Sequence, residues 1–176
     1  MSTRSLISIQ RKDDEYECIY CHSDGYLTYN GAMLLDHYSD KEKLEKLIKL
    51  GNISSLDINV DPDPSKPHSF DYDKRQDGVV IAYARDRGDK NEHSRICNMK
   101  EMLDWGWIEY IYIFDKDGKW KYLQPPNDTI KYVEDGLAKE YKRMGIRRPK
   151  DFYGFFTETS LREERKRQQQ EDEEME

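Results

Sequence analysis

The chain opens with two short segments of strand character, Ser5 to Gln10 (Ser-Leu-Ile-Ser-Ile-Gln) and Glu15 to Cys21 (Glu-Tyr-Glu-Cys-Ile-Tyr-Cys), separated only by the polar run Arg11-Lys12-Asp13-Asp14. Two such runs around a short polar turn read as a β-hairpin. An antiparallel pair at the start is a strong constraint, because whatever follows must cover the faces of the sheet it founds. Alternation along the second strand puts Tyr16, Cys18, Tyr20 and His22 on one face and Glu17, Ile19 and Cys21 on the other.

The hairpin runs into a chemically dense block, Tyr20-Cys21-His22-Ser23-Asp24-Gly25-Tyr26. It gathers thiol, imidazole, carboxylate and phenol groups around one glycine. A second polar block, Arg85-Asp86-Arg87-Gly88, follows the apolar run Val79 to Ala84, which reads as a central strand. If both blocks end strands at one sheet edge, they form one surface. Arg4, just ahead of the first strand, could join it.

Between the blocks, Thr28 to Tyr38 has helical character through Ala32, Met33, Leu34, Leu35 and Tyr38. Ser39-x-x-Glu42 reads as a capping box for a helix that buries Leu44, Leu47 and Ile48 and stops at Gly51. Residues 52–77, with Pro62, Pro64 and Pro67, form a long polar passage expected to be mobile. Beyond Gly88, Asn98-x-x-Glu101 caps a short helix to Trp105. Trp107 to Phe114 is an aromatic strand, Asp117-Gly118 a hairpin signal, and Trp120 to Leu123 the returning strand. Pro125-Pro126 reads as the end of the sheet. A final core helix starts near Asp128 with Ile130, Val133, Leu137, Tyr141 and Met144 as its buried stripe, and Gly145 stops it.

From Leu161 to Glu176 the residues are almost wholly charged or Gln, with a basic block Arg162 to Arg167 and an acidic end. Lacking an apolar face, this tail is expected to be a solvated helix or disordered, and not to dock. The fold expected is α+β: about five mostly antiparallel strands with about three to four helices on one face, plus that tail. Residues 1–156 would form one domain, with core blocks in 1–123 and an added helical segment over 125–156; 157–176 would be the charged tail.

Charged residues make up 37% of the 176, which on its own suggests disorder; the 13 Tyr, 5 Phe and 3 Trp argue for a folded core instead. The net charge of −7 disfavours duplex nucleic acid, which calls for a basic face. It suits solubility, or a surface that mimics nucleic acid toward a basic protein. Three cysteines do not make a disulfide framework, the first residues lack the apolar run of a signal peptide, and no stretch approaches a membrane span. The expected setting is a reducing cytoplasm.

Cys18-x-x-Cys21-His22 matches the haem-attachment spacing. That chemistry belongs to exported proteins, and on a strand residues three apart face opposite ways, which also weakens a zinc reading. No metal or cofactor is therefore expected. Ser2 or Thr3 as an N-terminal nucleophile lacks a glycine-rich oxyanion arrangement. His22 and Asp24 resemble an acid–base pair, although Asp24-Gly25 is also a plain turn dipeptide. Arg85 and Arg87 could fork onto a phosphate or carboxylate, or could be paired internally with Asp86 or Asp24.

The blocks Met1-x-Thr3-Arg4-Ser5, Tyr20-Cys21-His22-x-Asp24-Gly25-Tyr26, Leu34-Leu35-x-His37-Tyr38 and Arg85-Asp86-Arg87-Gly88 resemble a family of uncharacterised small proteins of phages and their bacterial hosts. The resemblance covers residues 1–123. Many such proteins carry tryptophan where this chain has Ser23. It implies a phage accessory role in the host cytoplasm, in host takeover or counter-defence, and no particular reaction. The expectation is a non-catalytic binding protein. It would capture a small anionic, nucleotide-like ligand through Arg4, Tyr20, His22, Asp24, Tyr26, Arg85, Asp86 and Arg87, or block a host protein. The alternatives are a phosphoester hydrolase using His22 and Asp24, and an acidic nucleic-acid mimic.

Overall fold

The computed structural model describes residues 2–150 and 153–176; Met1 of the first resemblance block lies outside them. The N-terminal hairpin forms as its alternation requires. β1 (Ser5–Lys12) pairs antiparallel with β2 (Glu15–Cys21), with Leu6 opposite Tyr20 and Ser8 opposite Cys18. The founding sheet then grows on both flanks. On one side β1 pairs parallel with β6 (Tyr110–Phe114), followed by β7 (Trp120–Leu123) and β8 (Lys131–Tyr132). On the other side β2 carries β3 (Ile53–Ser55) at its C-terminal end and β5 (Arg95–Cys97) nearer its start. β4 (Ile81–Ala82) closes that edge against β3.

The protein is α+β, with an eight-stranded mixed sheet among the described residues in place of the expected five or so mostly antiparallel strands. β1–β6 and β2–β3 are parallel, and the strands the sequence failed to signal, β3, β5 and β8, are each two or three residues long. Segments that short have no room for periodicity.

Both faces are covered, which corrects the single helical face. The larger core joins Ile7, Ile9, Ile19 and Cys21 of the hairpin to α1 (Ala32–His37), α2 (Lys41–Lys49) and α5 (Val133–Met144). The smaller, on the opposite face, joins Leu6, Tyr16, Cys18 and Ile111 to Met102 of α4 (Met99–Leu103). A strand buried on both sides accounts for the lack of exposed positions in β1 from Ser5 to Ile9. The paired carboxamide and carboxylate of Asn98 and Glu101 cap α4 reciprocally, as expected.

Other boundaries move. α2 is capped by Asp40, whose carboxylate accepts from the Glu42 amide at 3.1 Å, while the Ser39 hydroxyl donates to the Leu35 carbonyl at 2.7 Å and ends the preceding helix. Val79–Ala84 is not a central strand: only Ile81–Ala82 pairs, at the sheet edge, and the chain turns at once into α3 (Tyr83–Arg87). Residues 52–77 are tied down by β3 and by side chains, among them Gln76, which bonds residues 63, 66 and 67. Trp107 stays outside β6, 85% exposed with φ 63°. Pro125-Pro126 interrupts the sheet without ending it, since β8 still pairs with β7. α5 starts at Val133, so Ile130 lies outside the buried stripe and is 48% exposed.

The charged tail forms α6 (Glu158–Glu174), and it docks through polar groups where an apolar stripe is lacking. Gln168, only 7% exposed, accepts from the Arg147 amide at 2.7 Å and donates to the Arg147 carbonyl at 2.9 Å. Arg165 donates to the Met144 carbonyl at the end of α5, and Leu161 packs against the larger core. Gln168→Ala removes two part-buried hydrogen bonds to the Arg147 backbone, a cost of about 0.5–1.5 kcal/mol each. A lowered melting temperature in a thermal scan is the expected result. No helix among the described residues is long and apolar enough to cross a membrane.

Candidate functional site

The block after β2 is held from several directions. The Gly25 amide donates to the Thr3 carbonyl at 2.8 Å and the Tyr112 hydroxyl donates to the Gly25 carbonyl at 2.6 Å. A Cβ at Gly25 would stand 2.8 Å from the Thr3 oxygen, so glycine is what lets the loop lie against the start of β1. Asn30, fully buried, donates to the Ser5 hydroxyl at 3.1 Å and to the Ser23 carbonyl at 3.3 Å. Asn30 belongs to a π-helical turn, Leu27–Gly31, that leads into α1.

Within this frame the side chains of Tyr20 on β2 and of His22, just past its end, are hydrogen-bonded between the hydroxyl and Nδ1 at 2.8 Å. Burial raises the Tyr20 phenol, and nearby Arg4 opposes that rise. The Arg4 Nε is buried with no hydrogen-bond partner among the described residues. Asp24 sits at φ 55°, near the Tyr26 phenol; burial first, and then the Asp24 charge, push that phenol up to about 12.

The second block comes near the first through the backbone. Cys21 is opposite Ile53, and Ile53 is opposite Ala82, so three strands share one row. With strands ~4.8 Å apart, Cys21 and Ala82 are about 10 Å apart at the backbone. The side chains then diverge. Because residues 83–87 are helical, Arg85 and Arg87 point about 200° apart, contrary to the strand expectation that they point together.

Arg85 turns inward. It donates to the Val60 and Val80 carbonyls at 2.6 Å each and to Asp86 at 2.8 Å. Asp86 also accepts from the Ala82 amide at 2.7 Å and faces His68 Nε2 at 3.4 Å, with its side chain 3% exposed. Arg87 turns outward, over the Phe70 and Tyr83 rings at 4.4 and 4.8 Å, and pairs with Asp89 at 2.6 Å. Each arginine has its own anion within two residues in sequence, so neither calls on Asp24. Cys18 and Cys21 belong to opposite cores, and no three or more His, Cys, Asp or Glu among the described residues are grouped to hold a metal ion.

A deeper concavity than either block offers lies elsewhere among the described residues. A groove of about 920 Å³ opens between α5 and the β6–β8 flank, with the π-helical turn and residues 155–156 completing its wall. Its aromatic lining comprises Tyr26, Tyr110, Tyr122, Tyr132, Phe155 and Phe156. Tyr110 stacks on Tyr112 with ring centroids 6.0 Å apart and planes 5° from parallel, and Tyr122 leans on both. Burial raises the phenols of Tyr110 and Tyr122, with Glu140 adding to both, so they remain neutral donors at physiological pH. Lys131, Lys139 and Asp135 also line it, with the Glu140–Arg143 pair.

Of the site residues expected from sequence, only Tyr26 lines this groove. Three of its walls are exposed apolar side chains: Ile130 at 48%, Tyr132 at 48% and Phe155 at 71%. The signal available in the sequence was the i, i+2 repeat of Tyr110 and Tyr112 facing Tyr122, but aromatics on a strand are more often core. No family model matches this chain, and no curated protein or solved structure matches it either.

Proposed function

We propose that the protein is a non-catalytic binding protein for a small anionic, nucleotide-like ligand, and that the groove between α5 and the β6–β8 flank, rather than the His22 and Arg85 blocks, receives it. The observation that carries this reading is the groove's composition: flat aromatic walls for a planar ring, neutral phenol donors, carboxylates that can accept from sugar hydroxyls, and two lining lysines for a phosphate. The engagement of Arg85 with Asp86 and of Arg87 with Asp89 is the reason for moving the anion site away from them. A phage accessory role, in host takeover or counter-defence, is the setting the sequence resemblance suggests. The hydrolase reading keeps one supporting contact, the Tyr20–His22 hydrogen bond beside Arg4.

AMP is a suitable probe, with adenosine and inorganic phosphate as its separate halves. In calorimetric titration AMP should bind more tightly than either half, and less tightly as salt rises. Phe155→Ala and Lys139→Ala should each weaken it, the former by about tenfold, in the range of one lost stacking partner, with unchanged melting curves. Absence of saturable AMP binding, or binding indifferent to both substitutions, would overturn the groove assignment. Multiple turnovers of a phosphoester that vanish in both His22→Ala and Asp24→Ala would establish the enzyme reading instead.

A further inference from the structure

Away from the groove, the smaller core holds two of the three cysteines as near neighbours. Cys18 of β2 and Cys97 of β5 are 79 residues apart in sequence, and their sulfurs are 3.5 Å apart, both buried. They are diagonal partners across an antiparallel pair, Cys18 opposite Arg95 and Cys97 opposite Tyr16. The third, Cys21, lies on the other face of β2, with its sulfur 3.4 Å from the Asn30 amide nitrogen, and belongs to the larger core. Alternation along β2 separates Cys18 from Cys21, and the fold couples Cys18 to a distant residue instead.

We infer that Cys18 and Cys97 form a reversible modification site, closing to an intramolecular disulfide by exchange with a low-molecular-weight disulfide. The sulfurs need to approach by about 1.5 Å to reach covalent distance. β5 is the element able to supply that movement: it is three residues long, and among the described residues β2 is its only strand partner.

The exchange balances without any further reagent. Cys97, the more exposed of the two at 4% against 0%, attacks as thiolate one sulfur of the small disulfide; a mixed disulfide forms and a small thiolate leaves. Cys18 gives up its proton to that thiolate and attacks the Cys97 sulfur, so the protein disulfide forms and the second small thiol departs. Two protein thiols are oxidised and one small disulfide is reduced to two thiols. Burial, with Cys97 next in weight, pushes the Cys18 thiol up, so ring closure should quicken as pH rises.

The bond would fix more than β5. The segment leading into it carries Glu92, whose carbonyl accepts from the Asn52 amide at 2.6 Å; the Asn52 side chain in turn accepts from the Tyr20 amide at 2.9 Å. Oxidation would therefore restrain the backbone that positions Tyr20 and, through it, His22.

The experiment is to incubate the folded full chain with excess oxidised glutathione, quench, denature, and count thiols with a peptide map. The wild type should fall from three thiols to one, with the Cys18 and Cys97 peptides joined and Cys21 left alkylatable; dithiothreitol should restore all three. Cys21→Ser should fall from two to none. Cys97→Ser, confirmed folded by its melting curve, should keep both remaining thiols. Retention of three thiols in the folded wild type, while the urea-unfolded chain oxidises under the same conditions, would overturn the inference, as would a bridge that includes Cys21.

Discussion

Asp86→Ala should lower the melting temperature by about 10 °C, from the loss of about 3–5 kcal/mol that follows when one member of a buried ion pair is removed. Asp86 is nearly without solvent contact and receives the Ala82 amide and the Arg85 guanidinium, while its own carbonyl accepts the Phe70 amide at 3.0 Å. Through Arg85 it also reaches the Val60 and Val80 carbonyls. One carboxylate thereby ties the long passage 52–77 to the edge of the sheet. Arg85→Glu should unfold this edge for the same reason, and loss of structure is the expected outcome of that charge reversal.

The pH dependence follows with a definite sign. Burial alone would raise the Asp86 carboxyl, but the Arg85 and Ala82 hydrogen bonds outweigh it and hold the group below the ordinary carboxylate range. Asp115 is depressed likewise, its burial outweighed by Lys121 and the Lys119 amide. A depressed folded-state value means stability that is present above the unfolded-state pKa and is lost as pH falls through the folded one. Melting temperature should fall steeply below about pH 4, and an Asp86→Asn variant, less stable at pH 7, should show a shallower acid limb. An acid limb unchanged in that variant would remove Asp86 from the account.

Gly136→Ala should destabilise the protein by about 1–3 kcal/mol as an overpacking change, although helix propensity alone predicts a gain of about 1 kcal/mol for replacing an internal glycine. A Cβ there would lie 2.4 Å from the Tyr122 hydroxyl and 2.7 Å from its ring, and Tyr122 is itself 5% exposed between Tyr110 and α5. Because the ring carbons collide as well as the hydroxyl, Tyr122→Phe should not relieve the double variant, whereas Tyr122→Leu should relieve part of it. A more stable Gly136→Ala protein in chemical denaturation would show that Tyr122 has room to move and that the groove floor is soft.

Gly136 also illustrates what sequence reading could and could not reach. Read alone, it is a flaw in a helix; its reason is a tyrosine on a strand paired in a different part of the chain. The hairpin, the Asn98 cap, the β6–β7 hairpin and the stops at Gly51 and Gly145 follow from local chemistry, and local chemistry was legible. The docking of α6 was not, because a single buried Gln168 reading one backbone position has no periodic signature. The arginine block misled for a related reason: an apolar run before Arg85 suggests a strand, but edge pairing allows only two residues of it, and the helical turn that follows sends the two side chains apart. The groove escaped because its walls come from residues 26–28, 110, 122–144 and 155–156, each of which alone resembles ordinary core or surface.

The assignment of the binding surface is tested most directly by mapping amide and aromatic shifts of the isotopically labelled protein during an AMP titration. The groove account predicts saturable perturbations centred on Tyr26, Tyr110, Tyr122, Tyr132, Lys139 and Phe155, with Arg4, Tyr20, His22 and Arg87 unmoved. Perturbations confined to Arg4, Tyr20, His22 and Arg87, or none at saturating AMP, would contradict it.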